Sequence, residues 1–502
     1  MPEVGRQQAV LEILQRLRGP GALDALRELF WQELNYDRAN KPVSDELTER
    51  QRRPLAEQPI LWATAGTDNH FHVIYSRFAD EKLLLARERL VINKLVQQHP
   101  FALFVFSNAH RDLWHFVNVK YDRDRRKTDD DKKRYLLRRI TIGPDERLRT
   151  ASERIEMLDV AKIAEPTPLE IQAVHDEAFD VEAVTTEFFK EFARRFDRLQ
   201  TDLVAQTGDE AWAHDYALRF LSRLMFLYFV QRKGWLGEDA EFLKSFWSGY
   251  RKSGQPRDTF FDKWLKVLFF EAFNNKFQLR AEYSYFPDEI RDALAKAPYL
   301  NGGLFRKDEK LDGREDFVIT DAQFEEVFDF LERYNFTIAE DTPLDQEVAV
   351  DPEMIGKVYE SLVNIGTEED LRGEAGIFYT PRLEIDLMCR LSLVDYLSNH
   401  LGEEHKSAFY EAVFALDEEE KEQADRRLLD AGLWADVGEL LESVKIVDPA
   451  CGSGSFLVGM MLLLADLRER AQQQLGTEPS YALPRYDVKK QIIAENLYGV
   501  DV

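Results

Sequence analysis

The sequence has 502 residues, with 92 acidic against 66 basic side chains and a formal net charge of −26. This length predicts about two to four domains. The two cysteines are too few for a disulfide framework, and no Cys/His spacing suggests a zinc site. No signal-peptide pattern opens the chain, and no apolar run approaches the roughly 20 residues that cross a bilayer. We therefore expect a soluble, cytoplasmic protein with no membrane partner.

The first region, residues 1–160, alternates predicted helices and strands. Helices are predicted at residues 23–34 and 81–99, and strands at residues 71–78, 102–107, 113–120 and 135–142. A mixed-charge loop is predicted between the last two strands. This order is compatible with a restriction-nuclease-like α/β domain.

A nuclease of the PD-(D/E)xK class would need a carboxylate and an acid-x-Lys pair on the next strand, whose acids hold Mg²⁺. The nearest match is Asp112 with Asn118 and Lys120, and Glu33 on an earlier helix is a further candidate ligand. Because Asn118 is an amide where the class has an acid, metal binding is weakened. We expect a structural or degenerate domain and not an efficient Mg²⁺ nuclease.

The second region, residues 168–345, is predicted to be a helical connector. In residues 215–233 the apolar side chains are too numerous for one stripe, so this helix is expected to be buried on most sides. Aromatic residues are dense at 242–277, and we interpret them as helical core. This region carries no obvious chemistry.

The third region, residues 346–502, holds the most informative string. Residues 444–456 read V-K-I-V-D-P-A-C-G-S-G-S-F. The β-branched run predicts a buried parallel strand that ends at Asp448, followed by a tight loop and a helix from about Ser455. Glycines in the loop allow a ligand to approach the backbone. An acid at the start of the loop suits a cationic ligand better than a pyrophosphate.

Two further elements flank this string. Residues 376–381 read G-I-F-Y-T-P, and Thr380 and Pro381 are a good N-cap and first residue for the amphipathic helix predicted at 383–401. Residues 497–500 predict a second strand that leads to Asp501, and an acid there can accept hydrogen bonds from ribose hydroxyls. The 53 residues from Asp448 to Asp501 exceed the usual spacing of about 20. The surplus is interpreted as an insertion at 476–485 and a helix at 488–495. The acidic stretch at 417–425, in the same region, is interpreted as a solvated helical surface.

The three strings resemble motifs I, X and II of S-adenosylmethionine-dependent DNA amino-methyltransferases. The string D-P-A-C-G-S-G-S-F-L is typical of the adenine-N6 methylases of restriction-modification systems, and the order X then I is that of the γ type. The resemblance is strongest from about residue 350. It implies a multidomain α/β and α protein whose third region starts a Rossmann-like methyltransferase domain and stops after its second strand.

The resemblance also implies roles for individual residues. Asp448 would face the methionine ammonium group, the loop at 450–454 would pack along the cofactor, Asp501 would hold the ribose, and Thr380 would help close the methionine end. The complete set of expected cofactor-binding residues is Tyr379, Thr380, Pro381, Asp448, Pro449, Ala450, Cys451, Gly452, Gly454, Phe456 and Asp501.

The family's catalytic motif, N/D-P-P followed by an aromatic residue, is absent from this sequence. That motif holds the target amino group and stacks on the flipped base. We therefore expect no catalytic residue for methyl transfer in this chain, and a C-terminal continuation or partner chain that carries the motif and the target-recognition domain. The resemblance implies double-stranded DNA as substrate, in a restriction-modification or phage-defence system.

Two alternatives remain open. One is an RNA or protein methyltransferase, and the other is an inactive or partner-dependent DNA-binding module. The net negative charge does not decide among them, because basic residues can be confined to one groove of an acidic protein.

Overall fold

The computed structural model describes residues 3–43, 47–121, 135–300, 303–337, 345–350, 380, 382–452, 454–476 and 485–500. The chain divides into two compact units, Met1–Ile377 and Phe378–Val502. Each is a separate packing unit with its own core, and each is described by itself. The predicted boundaries near residues 160 and 345 remain a prediction.

The first unit contains a seven-stranded sheet whose strands lie side by side in chain order. Strands β3 and β4 pair in parallel, as do β6 and β7, and the other neighbours are antiparallel. The strands are β1 Asp37–Pro42, β2 Ile60–Ala65, β3 Phe71–Arg77, β4 Ala102–Ser107, β5 Trp114–Tyr121, β6 Tyr135–Ile142 and β7 Asp345–Glu347. The four predicted strands are confirmed to within one residue at each end. The loop predicted between β5 and β6 lies largely outside the described residues.

Helices cover the sheet and fill the rest of the first unit. The helix predicted at 23–34 is present as α2 followed by a π-helical turn, Leu29–Glu33. The helix predicted at 81–99 is shorter, as α4. The helices are α1 Glu3–Arg16, α2 Ala22–Glu28, α3 Glu49–Arg52, α4 Leu85–Leu95, α5 Leu148–Glu156, α6 Pro168–Ala178, α7 Val181–Thr207, α8 Glu210–Arg232, α9 Phe242–Lys252, α10 Lys266–Phe270, α11 Asp288–Ala295 and α12 Asp321–Leu331.

The predicted burial of the helical region is confirmed. In α8, five consecutive residues from Leu227 to Gln231 are buried, and because five residues span more than one turn, the helix is enclosed on all sides there. The aromatic rings of residues 242–277 pack against one another and against α12; the Phe260 and Phe324 ring centroids, for example, are 4.9 Å apart. These rings form core and not an exposed stacking surface.

The second unit is a layer of helices with two short parallel strands. The predicted helices at 383–401 and 488–495, the helix from Ser455 and the strand from Leu497 are all confirmed. The elements are α13 Arg382–Leu401, α14 Lys406–Phe414, α15 Glu418–Asp430, α16 Trp434–Ser443, β8 Ile446–Asp448, α17 Ser455–Leu475, α18 Arg485–Glu495 and β9 Leu497–Gly499. The core lies between α13, α16 and α17, with Leu393, Trp434 and Leu464 at its centre.

One expectation about the second unit is wrong, and another holds only in part. The strand before Asp448 was expected to be buried, but the Val447 side chain is 61% exposed, because the described elements cover one side of the strand pair only. The acidic stretch at 417–425 was expected to be solvated; Glu418, Glu419 and Glu422 are exposed, but Asp425 is buried in an ion pair with Arg470 of α17. A buried carboxylate is tolerated where a cation pairs with it.

Candidate cofactor-binding site

The candidate site lies where β8 ends and α17 begins. Strands β8 and β9 are parallel, with Asp448 beside Gly499 at their carboxyl ends. The carboxyl ends of parallel strands are where open α/β sheets bind ligands. The strand, loop and helix therefore stand where the sequence predicts them, with Asp448 as the last residue of the strand.

The two oxygens of the Asp448 carboxylate differ in their contacts. Oδ1 accepts a hydrogen bond of 3.2 Å from the Ala450 backbone N–H, which holds the start of the loop. Oδ2 is shielded from solvent and accepts no hydrogen bond from any group that the structure describes. A buried acceptor without a donor costs about 1–3 kcal/mol. A ligand that donates to Oδ2 would recover this free energy.

The glycines of the loop adopt conformations that other residues rarely take. Gly452 and Gly454 have φ values of 46° and 78°. A Cβ atom built on either glycine would meet no atom within 4 Å. Their requirement is therefore one of backbone conformation, and the space beside the loop is open. Gly454 is also the N-cap residue of α17 and forms no side-chain capping hydrogen bond.

Gly499 of β9 is a site residue that the sequence reasoning missed. A Cβ atom there would come within 2.9 Å of Cys451 Sγ and 3.0 Å of Leu457 Cδ1. The Cys451 N–H donates to the Val500 carbonyl oxygen at 3.0 Å, and the Val500 N–H donates to that of Asp448 at 2.9 Å. The loop thus folds back onto the end of β9, and the absence of a side chain at Gly499 permits this contact. A glycine just before the acid in N-L-Y-G-V-D was the available signal.

Helix α13, which follows Thr380, packs against the first turns of α17. Gly459 makes this close approach possible: a Cβ atom there would lie 3.1 Å from Ile385 Cγ2. One turn earlier the Cys389 thiol donates to the Phe456 carbonyl oxygen at 3.7 Å. Burial, with the nearby Asp386 carboxylate, raises the pKa of Cys389 to about 11, so it remains a thiol at neutral pH. The structure thus brings together α13, which follows the string that resembles motif X, and α17, which follows the string that resembles motif I.

Other predicted site residues are placed less completely. Thr380 is half-exposed, Phe456 is half-buried, and Pro449 and Ala450 are exposed in the loop. Tyr379, Pro381 and Asp501 lie outside the described residues, as do residues 477–484 of the insertion predicted at 476–485 and the segment at 351–379. Their expected roles remain predictions.

The structure does not bring the nuclease candidates together. Asp112 precedes β5, where it accepts a hydrogen bond of 2.7 Å from Asn108. Asn118 is the fifth residue of β5, which places it roughly 13 Å from the start of the strand that Asp112 precedes. It is fully buried, donating to Asp176 and accepting from Gln172, both at 2.9 Å. Asp112 and Asn118 therefore cannot share one metal ion.

The other two candidates complete this picture. Glu33 ends the π-helical turn after α2, and Lys120 is half-exposed near the end of β5. Across the described ranges, no group of three or more His, Cys, Asp or Glu side chains could hold a metal ion. In the same residues, no helix is long and apolar enough to cross a membrane.

Comparison with known proteins relates the chain to restriction-modification polypeptides. No protein-family model matches it. Over 294 residues, 57% of this chain, the sequence is 31% identical to a protein of Methanocaldococcus jannaschii named "Putative type II restriction enzyme and methyltransferase". The matched segment is 23% of that protein, so the chain spans less than a quarter of the curated relative's length.

One solved structure is also similar, that of the Type IIL restriction-modification enzyme MmeI in complex with DNA. The TM-score is 0.36 and the identity 16%, over 64% of this chain and 34% of that chain. The sequence comparison alone shows that this chain is similar, over more than half of its length, to a protein named as a restriction enzyme and methyltransferase.

Proposed function

We propose that the second unit binds S-adenosylmethionine as part of a DNA adenine-N6 methyltransferase of a restriction-modification or phage-defence system. The observation that carries this proposal is Asp448, whose Oδ2 is a buried acceptor without a described donor at the mouth of a glycine loop. The residues fit the cofactor: an ammonium group can donate to Oδ2, and the open side of Gly452 and Gly454 leaves room for its body.

The cofactor, when bound, supplies a methyl group activated by its positively charged sulfur. The residues of this chain bind and orient it. Asp448 holds the methionine ammonium group, the loop at 450–454 packs along the cofactor, and Asp501 accepts hydrogen bonds from the ribose. Thr380 helps close the methionine end. Fixed orientation of this kind is worth about 7–11 kcal/mol in a transfer reaction.

DNA as substrate is supported by the sequence similarity to the M. jannaschii protein. Adenine N6 as the methylated atom is supported by the string D-P-A-C-G-S-G-S-F-L, which resembles motif I of adenine-N6 methylases. The base-holding N/D-P-P-aromatic motif is absent from this sequence. We propose that a C-terminal continuation or partner chain supplies it. Support comes from the uncovered side of the strand pair, where Val447, Tyr498 and Val500 are exposed and no described element covers them. The crossover helices that accompany further strands of a methyltransferase sheet would bury these side chains.

Calorimetry with S-adenosylmethionine tests the proposal. The wild-type chain should bind, and Asp448→Asn should bind about 10–100-fold more weakly, because a hydrogen bond to a charged group contributes about 1.5–3 kcal/mol. Asp436→Asn, an exposed carboxylate of α16, is the matched control and should bind as the wild type does. Absence of binding by the wild type, or equal affinities for all three proteins, would contradict the proposal.

A further inference from the structure

Asn496 joins four segments at the amino ends of the strand pair. It is fully buried between α18 and β9. Its side-chain amide donates to the backbone oxygens of Glu442, at 3.0 Å, and Val444, at 2.8 Å. Its own backbone oxygen accepts from the Ile446 N–H at 2.8 Å. One side chain thus connects the end of α16, the entry to β8, the end of α18 and the start of β9.

Arg468 of α17 completes this junction. Its Nη2 donates to the Leu441 backbone oxygen at 2.6 Å and to Asn496 Oδ1 at 2.8 Å, and its Nε donates to Leu441 at 3.2 Å. The guanidinium is buried and forms no ion pair within the described residues. Burial lowers its pKa. A buried cation bonded only to neutral groups is a poor source of stability.

Arg470 of the same helix provides a contrast. It is equally buried, at 6% exposure for each residue. Arg470 is paired with the Asp425 carboxylate and donates to the Ala412 backbone oxygen at 2.8 Å. It therefore ties α17 to α14 and α15, away from the strands. The two arginines are thus equally buried, but Arg468 binds at the strand pair, whereas Arg470 binds to Ala412, Asp425 and Asp466.

The junction determines how the strands are aligned. With Ile446 bonded to Asn496, the register places Val447 beside Tyr498 and Asp448 beside Gly499. Because the side chains of a strand alternate in direction, a slip of one residue would turn Asp448 to the opposite face. The alignment of Asp448 with the end of β9 is thus set at the far end of the strands.

We propose that Asn496 and Arg468 are positioning residues for the cofactor, which act by holding Asp448 and the end of β9 in register. This inference rests on the proposed function of the second unit. Neither residue needs to touch the cofactor. Both act through the strands: Asn496 lies three residues before Gly499, the β9 residue beside Asp448.

The test compares Arg468→Lys with Arg470→Lys in the 502-residue chain. Lysine keeps the charge but cannot reproduce the planar fork of arginine. The thermal midpoint and the dissociation constant for S-adenosylmethionine are measured for both variants. We expect both midpoints to fall. Only Arg468→Lys should weaken binding, by at least about tenfold, since small misplacements of a site are costly. Asn496→Asp, which loses both amide donors, should behave as Arg468→Lys does.

The outcomes are distinguishable. Binding by the wild type with equal affinity in the two lysine variants would overturn the positioning role and leave the proposed function intact. Absence of binding by the folded wild type would remove the proposed function first. If Arg468→Lys does not fold, Arg468→Gln and Asn496→Asp are compared with Arg470→Gln at a lower temperature, and affinities that do not differ between junction and control variants would again overturn the inference.

Discussion

The two sheets of this protein differ in how completely they are covered. Every residue of β4 is buried in the seven-stranded sheet, and Val105 has no exposed surface. In the two-stranded sheet Val447, the same residue type, is 61% exposed. A β-branched run therefore predicts a strand, whereas its burial depends on elements far away in the chain.

The sheets differ also in how their charges are satisfied. Beside the seven-stranded sheet, Glu88 of α4 lies 2.6 Å from His115 of β5, and Asp345 of β7 pairs with Arg89 and Arg139 at 2.8 and 2.9 Å. Glu88 Oε2 accepts no hydrogen bond from the described residues, but it lies 3.8 Å from the Arg139 guanidinium, so its charge is paired within the fold. At the two-stranded sheet, Asp448 Oδ2 has no described donor. Internal pairing indicates a structural role, and an unfilled acceptor at an open edge indicates a binding role.

The largest expected effect tests whether the two-stranded sheet is part of an incomplete catalytic site. The isolated chain should transfer no methyl group, because nothing in it orients the target amine, and lost orientation corresponds to about 7–11 kcal/mol. Transfer of tritiated methyl groups to DNA, RNA and protein is measured for the chain alone and with a polypeptide that carries the N/D-P-P-aromatic motif. Robust adenine methylation by the chain alone would contradict this prediction, and transfer to RNA or protein only would favour the alternative substrates.

Removing one charge beside the seven-stranded sheet should lower the stability of the first unit. Asp345→Asn removes a buried carboxylate that pairs with both Arg89 and Arg139, and we expect the free energy of unfolding of the first unit to fall by about 3–5 kcal/mol. Urea unfolding measures the change. Arg149→Ala breaks an exposed pair with Glu153 and should cost about 0–1 kcal/mol. Equal losses in the two variants would show that the buried pairs are no more important than the surface ones.

The stability of the first unit should also depend on pH through His175 of α6. It is fully buried, its Nε2 lies 2.8 Å from the Tyr36 hydroxyl, and burial lowers its pKa from 6.5 to about 3. Below pH 6.5 the unfolded chain therefore binds a proton that the folded chain does not. The stability that is present above that pH is lost as the pH falls towards 3, by up to about 1.4 kcal/mol per unit.

His175→Gln removes this titration, so the unfolding free energy of the variant should fall less steeply between about pH 7 and about pH 5. The slope is the measured quantity, since the substitution also changes core packing. Parallel pH dependences for the wild type and the variant would contradict the assignment to His175.

A smaller effect is expected at the two-stranded sheet. Gly499→Ala places a Cβ atom 2.9 Å from Cys451 Sγ and should displace the loop. We expect affinity for S-adenosylmethionine to fall by about tenfold, within the about 1–3 kcal/mol typical of overpacking. Cys451→Ala removes the clashing sulfur, so the double variant should recover part of the affinity. Additive losses in this double-mutant cycle would show that the contact does not position the loop.

What the sequence predicted well are elements with strong local patterns. Strands β4 and β6 agree residue for residue with the prediction, because both are rich in the aromatic, β-branched and other apolar residues typical of strands. Strand β1, with the sequence D-R-A-N-K-P, was missed: it lies at the edge of the sheet, is largely exposed and shows no alternation. An edge strand needs few apolar residues, so hydrophobic periodicity does not reveal it.

For the candidate site, the sequence predicted the strand, loop and helix but not their contacts. The closeness of Gly499 to Cys451 and the bonds of Arg468 to Asn496 join residues that are 28 to 48 positions apart. Such pairs follow from packing and have no local pattern. The same reasoning explains Asp425, which was expected in water and is paired with a cation from another helix.

The smallest expected effect concerns the nuclease candidates of the seven-stranded sheet, because we expect no nuclease activity there that a substitution could remove. Asp112 precedes β5 and Asn118 lies in the middle of that strand, where it is hydrogen-bonded to Gln172 and Asp176. Plasmid cleavage is followed with Mg²⁺ and with Mn²⁺ for the wild type, Asp112→Ala and Lys120→Ala. We expect no cleavage by any of them, because one carboxylate and a buried amide hold a hard divalent cation poorly. Metal-dependent cleavage by the wild type that both substitutions abolish would mean that these residues act together after all, and that the seven-stranded sheet carries a second active site.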